Sequence, residues 1–117
     1  MRHNYENLVV YQRSVEIAVK IMSVIDDVRP FRLAEQIAAS AISIPSNIAE
    51  GSERTSQKEF KRFLEYSSGS ASELTTQITI MQHSNKNYSL DIPELIKELK
   101  EINSMIRGLM NSLETKK

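Results

Sequence analysis

Residues 44–60 read IPSNIAEGSERTSQKEF, and this stretch decides how the chain folds. Pro45 cannot donate a backbone hydrogen bond, so it predicts a kink in the helix that contains it, or a split into two short helices. Gly51 suits the left-handed residue that follows many helices and predicts the end of that helix. Ser56 and Glu59 match the capping box and predict that the next helix begins there.

Apolar residues on either side of this stretch recur every three or four positions, which is the pattern of amphipathic helices. The pattern predicts four helices, at about residues 8–28, 31–50, 56–83 and 92–113. The connections between them are short and polar, which favours antiparallel neighbours. We therefore expect residues 1–117 to form one all-α domain, an antiparallel up-down-up-down four-helix bundle.

The middle of the third helix is almost without bulky side chains, since residues 67–72 are serine, glycine and alanine. Gly69 lies there, and a glycine inside a helix costs roughly 1 kcal/mol relative to alanine. We interpret that cost as the consequence of another helix packing closely at this level. The alanine- and serine-rich second helix is the expected neighbour.

The bulk composition excludes several classes of function. Lys and Arg number 15, as do Asp and Glu, so the formal charge is zero. Neutrality argues against a dedicated nucleic-acid-binding domain, although charge can still be segregated onto one face. The absence of cysteine excludes disulfides and thiolate chemistry. Residues 1–6 lack the apolar core of a signal peptide and no run could span a membrane, so we expect a cytoplasmic protein.

No catalytic or metal-binding pattern stands out. The two histidines, His3 and His83, do not belong to the Glu-x-x-His pairs of di-metal bundles, so neither a metal site nor a cofactor is expected. The serines lack a Gly-x-Ser-x-Gly elbow. The glycine of the central turn lacks the spacing and the lysine of a phosphate-binding loop. The sequence therefore favours a protein that is not an enzyme.

Basic residues cluster around the start of the third helix. They are Arg54, Lys58, Lys61 and Arg62. Such clusters bind phosphate groups, so these four are the candidate nucleic-acid contacts. Acidic residues are interleaved with them and no aromatic stacking platform is expected beside them, so an ordinary solvated helix face is the alternative.

Two further features point to contacts beyond the fold. Asn47 and Glu50 are polar residues beside the apolar stripe of the second helix, and we expect them to hydrogen-bond to the third helix or to a neighbouring subunit. The first two helices are apolar over wide arcs. A bundle with more apolar surface than its own core needs tends to self-associate.

Several motifs together resemble one bacterial four-helix bundle family. They are SIPSNIAEG at 43–51, the Ser-x-x-Glu-Phe-x-x-Phe-Leu pattern at 56–64, GSASEL at 69–74, NLVVYQ at 7–12 and the ending at 106–113. The family is named for proteins encoded in intervening sequences of ribosomal RNA genes, and it includes accessory proteins of diversity-generating retroelements. The likeness covers nearly the whole chain, with a tyrosine where the opening motif more usually has tryptophan.

The resemblance implies a closed up-down bundle that assembles into a ring-like homopentamer. In the retroelement branch it also implies binding to nucleic acid and to a reverse transcriptase. The chain has Ala38-Ala39 where family members commonly have an Arg-Arg pair, which removes positive charge. An assembly or interaction module is therefore the first hypothesis, and a nucleic-acid-binding accessory protein is the second.

Overall fold

Four α-helices make up most of the protein. The structure is a computed structural model that describes residues 4–84 and 87–114. Its helices are α1 (Val9–Met22), α2 (Phe31–Ser52), α3 (Gln57–Gln82) and α4 (Ile92–Glu114). Short 3-10 helices at Tyr5–Asn7 and Ile25–Asp27 flank α1, and no strand occurs among the described residues. The predicted all-α four-helix fold is confirmed.

Side-chain contacts show that neighbouring helices run antiparallel. Between α2 and α3, Ser40 contacts Glu73 whereas Ser43 contacts Ser70, so residue numbers rise along one helix as they fall along the other. Ion pairs between α1 and α4 follow the same rule, because Arg13 pairs with Glu101 whereas Lys20 pairs with Glu98. The resulting bundle is a rod of 50 × 21 × 20 Å.

One apolar core runs the length of the rod. Its fully buried side chains come from every helix and include Ile21, Ile37, Ile48, Leu64 and Ile102. Burying a large aliphatic side chain contributes about 1.5–3 kcal/mol, so this core is the main source of stability. None of the helices in the described residues is long and apolar enough to cross a bilayer.

The first helix is shorter than its apolar pattern predicts. It was expected to run to residue 28, but α1 ends at Met22 and a turn at Val24 leads into the 3-10 helix. Val24 and Val28 are nevertheless buried, at 5% and 1% exposure. The apolar spacing correctly predicted that Val24 and Val28 are buried, but it did not predict their backbone conformation. Both residues follow the end of α1, and the turn places their side chains against the core.

Pro45 lies inside one continuous helix, so the alternative of two short helices is wrong. The expected end of that helix at Gly51 is also wrong. Gly51 is helical, has no positive φ, and α2 continues to Ser52. The glycine is needed for packing against α3, because a Cβ at Gly51 would lie only 2.6 Å from Phe63 Cβ.

Both predicted helix starts after the central turn are confirmed. Ser56 Oγ accepts a hydrogen bond of 3.1 Å from the backbone N–H of Glu59, which is the expected N-cap of α3. Asp91 Oδ1 accepts one of 3.1 Å from the backbone N–H of Glu94 at the start of α4. Such caps satisfy amides that the first helical turn leaves without partners.

Gly69 does not have the role that the sequence indicated. It is exposed on α3, and a Cβ added there would meet nothing within 4 Å. The close approach of α2 and α3 uses the neighbouring small residues instead, since Ser67 and Ala71 are fully buried. His83 follows α3, while His3 lies outside the described residues.

Candidate interaction surfaces

Arg54 lies in the turn between α2 and α3, where two groups contact its guanidinium. Its Nη2 donates to Glu50 Oε2 at 3.0 Å, which joins the turn to the last part of α2. Its guanidinium carbon lies 4.7 Å from the centre of the Phe63 ring. Its Nε is buried and has no hydrogen-bond acceptor among the described residues.

Arg62 forms a second arginine-aromatic contact one turn into α3. Its Nη2 donates to Glu59 Oε1 at 3.0 Å, and its guanidinium lies 5.6 Å from the Phe63 ring centre and 5.9 Å from that of Tyr66. Phe63 and Tyr66 meet edge to face with centroids 5.6 Å apart. Tyr66 is 49% exposed, so its ring is available to a partner.

The expectation that no aromatic platform accompanies the basic residues is therefore wrong. The sequence spacing could have predicted this platform. Residues three or four apart share one helix face, and Tyr66 follows Phe63 by three residues and Arg62 by four. We name Arg54, Arg62, Phe63 and Tyr66 the arginine-aromatic cluster. Lys58 and Lys61 lie beside it on α3, and among the described residues exposed Lys58 forms no ion pair.

Gly51 positions this cluster. A Cβ added to Gly51 would lie 2.6 Å from Phe63 Cβ and 3.0 Å from Phe60 Cδ1. Real Cβ atoms do not approach other atoms that closely, so only glycine permits this distance between the helices. The packing brings the base of the Phe63 side chain onto α2, next to the turn that carries Arg54.

Asn47 and Glu50 do not bond directly to α3, so that alternative for them is wrong. Asn47 Nδ2 donates to the carbonyl and the hydroxyl oxygen of Ser43 at 2.9 and 2.8 Å, within its own helix. The Ser43 hydroxyl lies 2.8 Å from that of Ser70 on α3. Asn47 thus reaches α3 through Ser43, while Glu50 pairs with Arg54. A contact with a neighbouring subunit stays a prediction.

Serines hold α2 and α3 at short range around the proline. Ser67 is fully buried, and its hydroxyl donates to the carbonyl of Ile44 at 2.9 Å. That carbonyl belongs to the peptide immediately before Pro45. The predicted role of the small serine-rich segment in helix packing is confirmed for Ser67 and for buried Ser68, whose hydroxyl contacts Asn103 on α4.

A second surface is an apolar groove between α1 and α2, with a volume of about 380 Å³. The side chains that line it include Val15, Val19, Met22, Ile42, Pro45 and Ala49. Val19 and Ile42 are 63% and 52% exposed although both are large and apolar. The wide apolar arcs of the first two helices are thus only partly covered within one copy.

Ion pairs attach α1 to α4 on the side away from the groove. Arg13 Nη2 donates to Glu101 Oε1 at 2.8 Å, and Lys20 Nζ to Glu98 Oε1 at 3.1 Å. The hydrogen bond from Arg13 lowers the pKa of the Glu101 carboxyl below its ordinary value, and the nearby positive charges of Arg13 and Lys97 add to the effect. Desolvation opposes this shift.

The described residues contain no group of three or more His, Asp or Glu side chains that could hold a metal ion. The groove and the arginine-aromatic cluster are the two candidate contact surfaces of these residues. Both are surfaces suited to macromolecules, because aromatic and arginine side chains are enriched at the centres of protein interfaces.

Fold and surfaces together define an antiparallel four-helix bundle with two candidate contact faces. The chain belongs to the 23S rRNA-intervening sequence protein family, whose sequence model matches residues 6–108. The resemblance to this family that the motifs indicated is therefore confirmed, and the relation to retroelement accessory proteins stays a prediction.

One solved structure with the same fold is a protein of unknown function from the S23 ribosomal protein family of Bacteroides thetaiotaomicron VPI-5482. It superposes with a TM-score of 0.79 at 23% sequence identity, covering 87% of this chain and 98% of that one. Among curated proteins, none matches this sequence significantly.

Proposed function

We propose that this protein is a non-enzymatic assembly module that forms a cytoplasmic homo-oligomer through the groove between α1 and α2. The observation that carries the proposal is the pair Val19 and Ile42, large apolar side chains from two helices that are both more than half exposed at one groove. A second copy that covers the groove removes this surface from water, which is favourable by roughly 25 cal/mol per Å². Five copies in a ring is the number that the family resemblance implies.

The apolar character of the bundle interior supports a role without catalysis. The core cluster consists of Ile, Leu, Val, Ala, Met and Phe side chains, and the buried polar side chains among the described residues are those of five serines and Gln77. Catalytic acids and bases need a pocket that sets their pKa values apart. The two candidate surfaces, the groove and the arginine-aromatic cluster, are suited to binding another molecule.

Molar mass in solution tests the assembly. Light scattering after gel filtration on the unmodified chain is expected to give a multiple of 13.4 kDa. Ile42→Glu places a charge in the groove and is expected to reduce the mass toward one copy. The control is Ile80→Glu on α3, since Ile80 is exposed to a similar degree, 54% against 52%. A monomeric unmodified chain contradicts the proposal, and equal dissociation by Ile80→Glu contradicts the role of the groove.

The second candidate function is a nucleic-acid-binding accessory protein that recognises structured RNA or DNA, with a reverse transcriptase as its protein partner. The observation that favours it is the exposed Tyr66 ring beside Arg62, which in turn follows Lys58 by one helical turn. Aromatic rings stack on bases while cations contact phosphates, and the affinity then falls with salt.

Binding of a fluorescent RNA hairpin at several salt concentrations tests this function. The triple variant of Lys58, Lys61 and Arg62 to Ala is expected to weaken binding and flatten its salt dependence, because each lost phosphate contact lowers the slope by about 0.9 for a duplex. Lys97→Ala with Lys100→Ala on α4 is the control. Unchanged affinity in the triple variant removes the named site.

A further inference from the structure

The methionines in the part of the chain that the structure describes have different surroundings. Met81 and Met110 are buried, at 2% and 9% exposure, whereas Met22 and Met105 are only partly buried. Methionine is a common target of oxidation, and its sulfur reacts only where a peroxide can reach it. Met22 and Met105 are therefore the candidates for this modification.

The sulfur of Met105 already has a polar partner. Arg13 Nη1 donates a hydrogen bond to Met105 Sδ at 3.6 Å, and Nη2 of the same guanidinium donates to Glu101. A thioether sulfur is a weak acceptor, and it needs a free lone pair to attack the peroxide oxygen. Because the guanidinium engages one lone pair and places a positive charge beside the other, we expect Met105 to react slowly.

Met22 lines the groove between α1 and α2, and no donor among the described residues contacts its sulfur. The groove lining is apolar apart from the side chains of Tyr11 and Ser46. Tyr11 precedes Met22 by eleven residues, which is about 16 Å along α1. Since α1 and α2 are antiparallel neighbours, Ser46 lies beyond Ile42 toward the Tyr11 end. Met22 therefore combines an unengaged sulfur with an apolar part of the groove.

We infer that Met22 is a site of reversible oxidation by hydrogen peroxide, and that its sulfoxide keeps a second copy from binding at the groove. The sulfur gains one oxygen atom and loses two electrons, while the peroxide is reduced to water. A flexible apolar side chain thereby becomes polar, and reductases of the methionine sulfoxide class reverse the change. The effect on binding rests on the proposed assembly, whereas the site of oxidation does not.

Oxidation of Met22 and assembly through the groove oppose each other. The sulfoxide oxygen is a strong acceptor, and a partner that covers it at an apolar surface removes its hydrogen bonds to water without replacing them. An oxidised copy is therefore excluded from the oligomer. By the reciprocity of linked equilibria, a copy whose groove is covered also reacts more slowly with peroxide.

Treatment of a dilute sample with hydrogen peroxide, followed by peptide mass mapping over time, tests the site. The chain has no cysteine, so methionine oxidation is not obscured by thiol chemistry. Met22 is expected to gain oxygen before Met105, with Met81 and Met110 last. Arg13→Gln removes the donor and is expected to raise the rate at Met105 without changing the rate at Met22. Oxidation of Met105 ahead of Met22 in the unmodified chain overturns the assignment.

Molar mass in solution tests the consequence for assembly. The oxidised chain is expected to lose mass toward one copy, and methionine sulfoxide reductase is expected to restore the oligomer. Met22→Leu keeps an apolar side chain and should assemble and resist peroxide, whereas the matched control Met105→Leu should still dissociate.

Two results would overturn the effect of the sulfoxide and leave the assembly standing. They are an unchanged mass of the unmodified chain once Met22 is oxidised, and equal dissociation of Met22→Leu in peroxide. A monomeric mass of the untreated chain overturns the assembly and the effect of the sulfoxide together, and the order of oxidation then decides the site alone.

Discussion

Gly51 of α2 and Phe63 of α3 are packed so closely that a Cβ on Gly51 would lie 2.6 Å from Phe63 Cβ. The glycine was expected to end a helix, but it lies within one and permits close contact between two. The Arg54 guanidinium lies 4.7 Å from the centre of the Phe63 ring. Because Gly51 lets Phe63 pack against α2, it also helps to position the arginine-aromatic cluster.

Gly51→Ala should therefore destabilise the protein, although alanine favours helices. Overpacking of this kind costs about 1–3 kcal/mol, and neither the Phe63 Cβ nor the Phe60 carbonyl at 3.3 Å can move without shifting the backbone. Urea unfolding followed by circular dichroism measures the change.

Gly69→Ala and Gly108→Ala are the controls for that substitution. Both positions are helical and nothing lies within 4 Å of an added Cβ. Each is expected to stabilise the protein by up to about 1 kcal/mol, which is the difference in helix propensity. A stabilising Gly51→Ala would show that α2 and α3 can separate at this level.

Ser67→Ala should cost about 1 kcal/mol, the net contribution of a typical hydrogen bond. Its hydroxyl is fully buried and donates to the Ile44 carbonyl at 2.9 Å. The control is Ser112→Ala, because Ser112 is exposed at the end of α4 and surface changes stay within about 0.5 kcal/mol. Equal urea midpoints for the two variants would contradict the role of Ser67 in joining the helices.

Arg54→Lys should destabilise the protein more than Glu50→Gln. Lysine keeps the charge but loses the planar group that covers the Phe63 ring, and an exposed cation–π contact is worth about 0.5–1 kcal/mol. The Glu50 pair is half exposed, at 41% and 55%, so we expect its loss to cost less than about 0.5 kcal/mol. The melting temperatures of the two variants show which substitution destabilises the protein more. A lower melting temperature for Glu50→Gln would mean that the ion pair, and not the contact with Phe63, contributes most of the stability from Arg54.

Glu101 should contribute a small acid-sensitive part of the stability, because its ion pair with Arg13 lies at the surface. Its pKa is lower in the folded chain than the ordinary 4.5, because Arg13 donates a hydrogen bond to the carboxylate. A lowered folded pKa contributes stability that is present above the unfolded pKa and is lost as the pH falls through the folded one. The difference in unfolding free energy between the unmodified chain and Glu101→Gln should thus be present at pH 7 and shrink below about pH 4.5.

The same comparison made with Arg13→Gln is the control. Without the donor, the substitution at Glu101 is expected to cause little pH-dependent change, since the main cause of the pKa shift is gone. A pH-dependent difference that survives in that background would assign the shift to Lys97 instead.

Much of the fold could be read from local chemistry. The apolar stripes located all four helices, and Ser56 capped α3 where the capping box predicted. These signals are short-range, because a cap or a stripe depends on residues within one or two turns of the same chain. The proximity of Tyr66 to Arg62 also follows from local spacing along α3. That the pair lies at the surface could be seen only once the outward face of α3 was known.

By itself the sequence determined the number, order and approximate extent of the helices, and the family to which the chain belongs. Only the tertiary structure decided that α1 ends at Met22, that Gly51 belongs inside a helix and that Gly69 faces outward. The physical reason is the same in each case. A glycine or an apolar residue has several compatible conformations, and the packing of a distant helix selects among them.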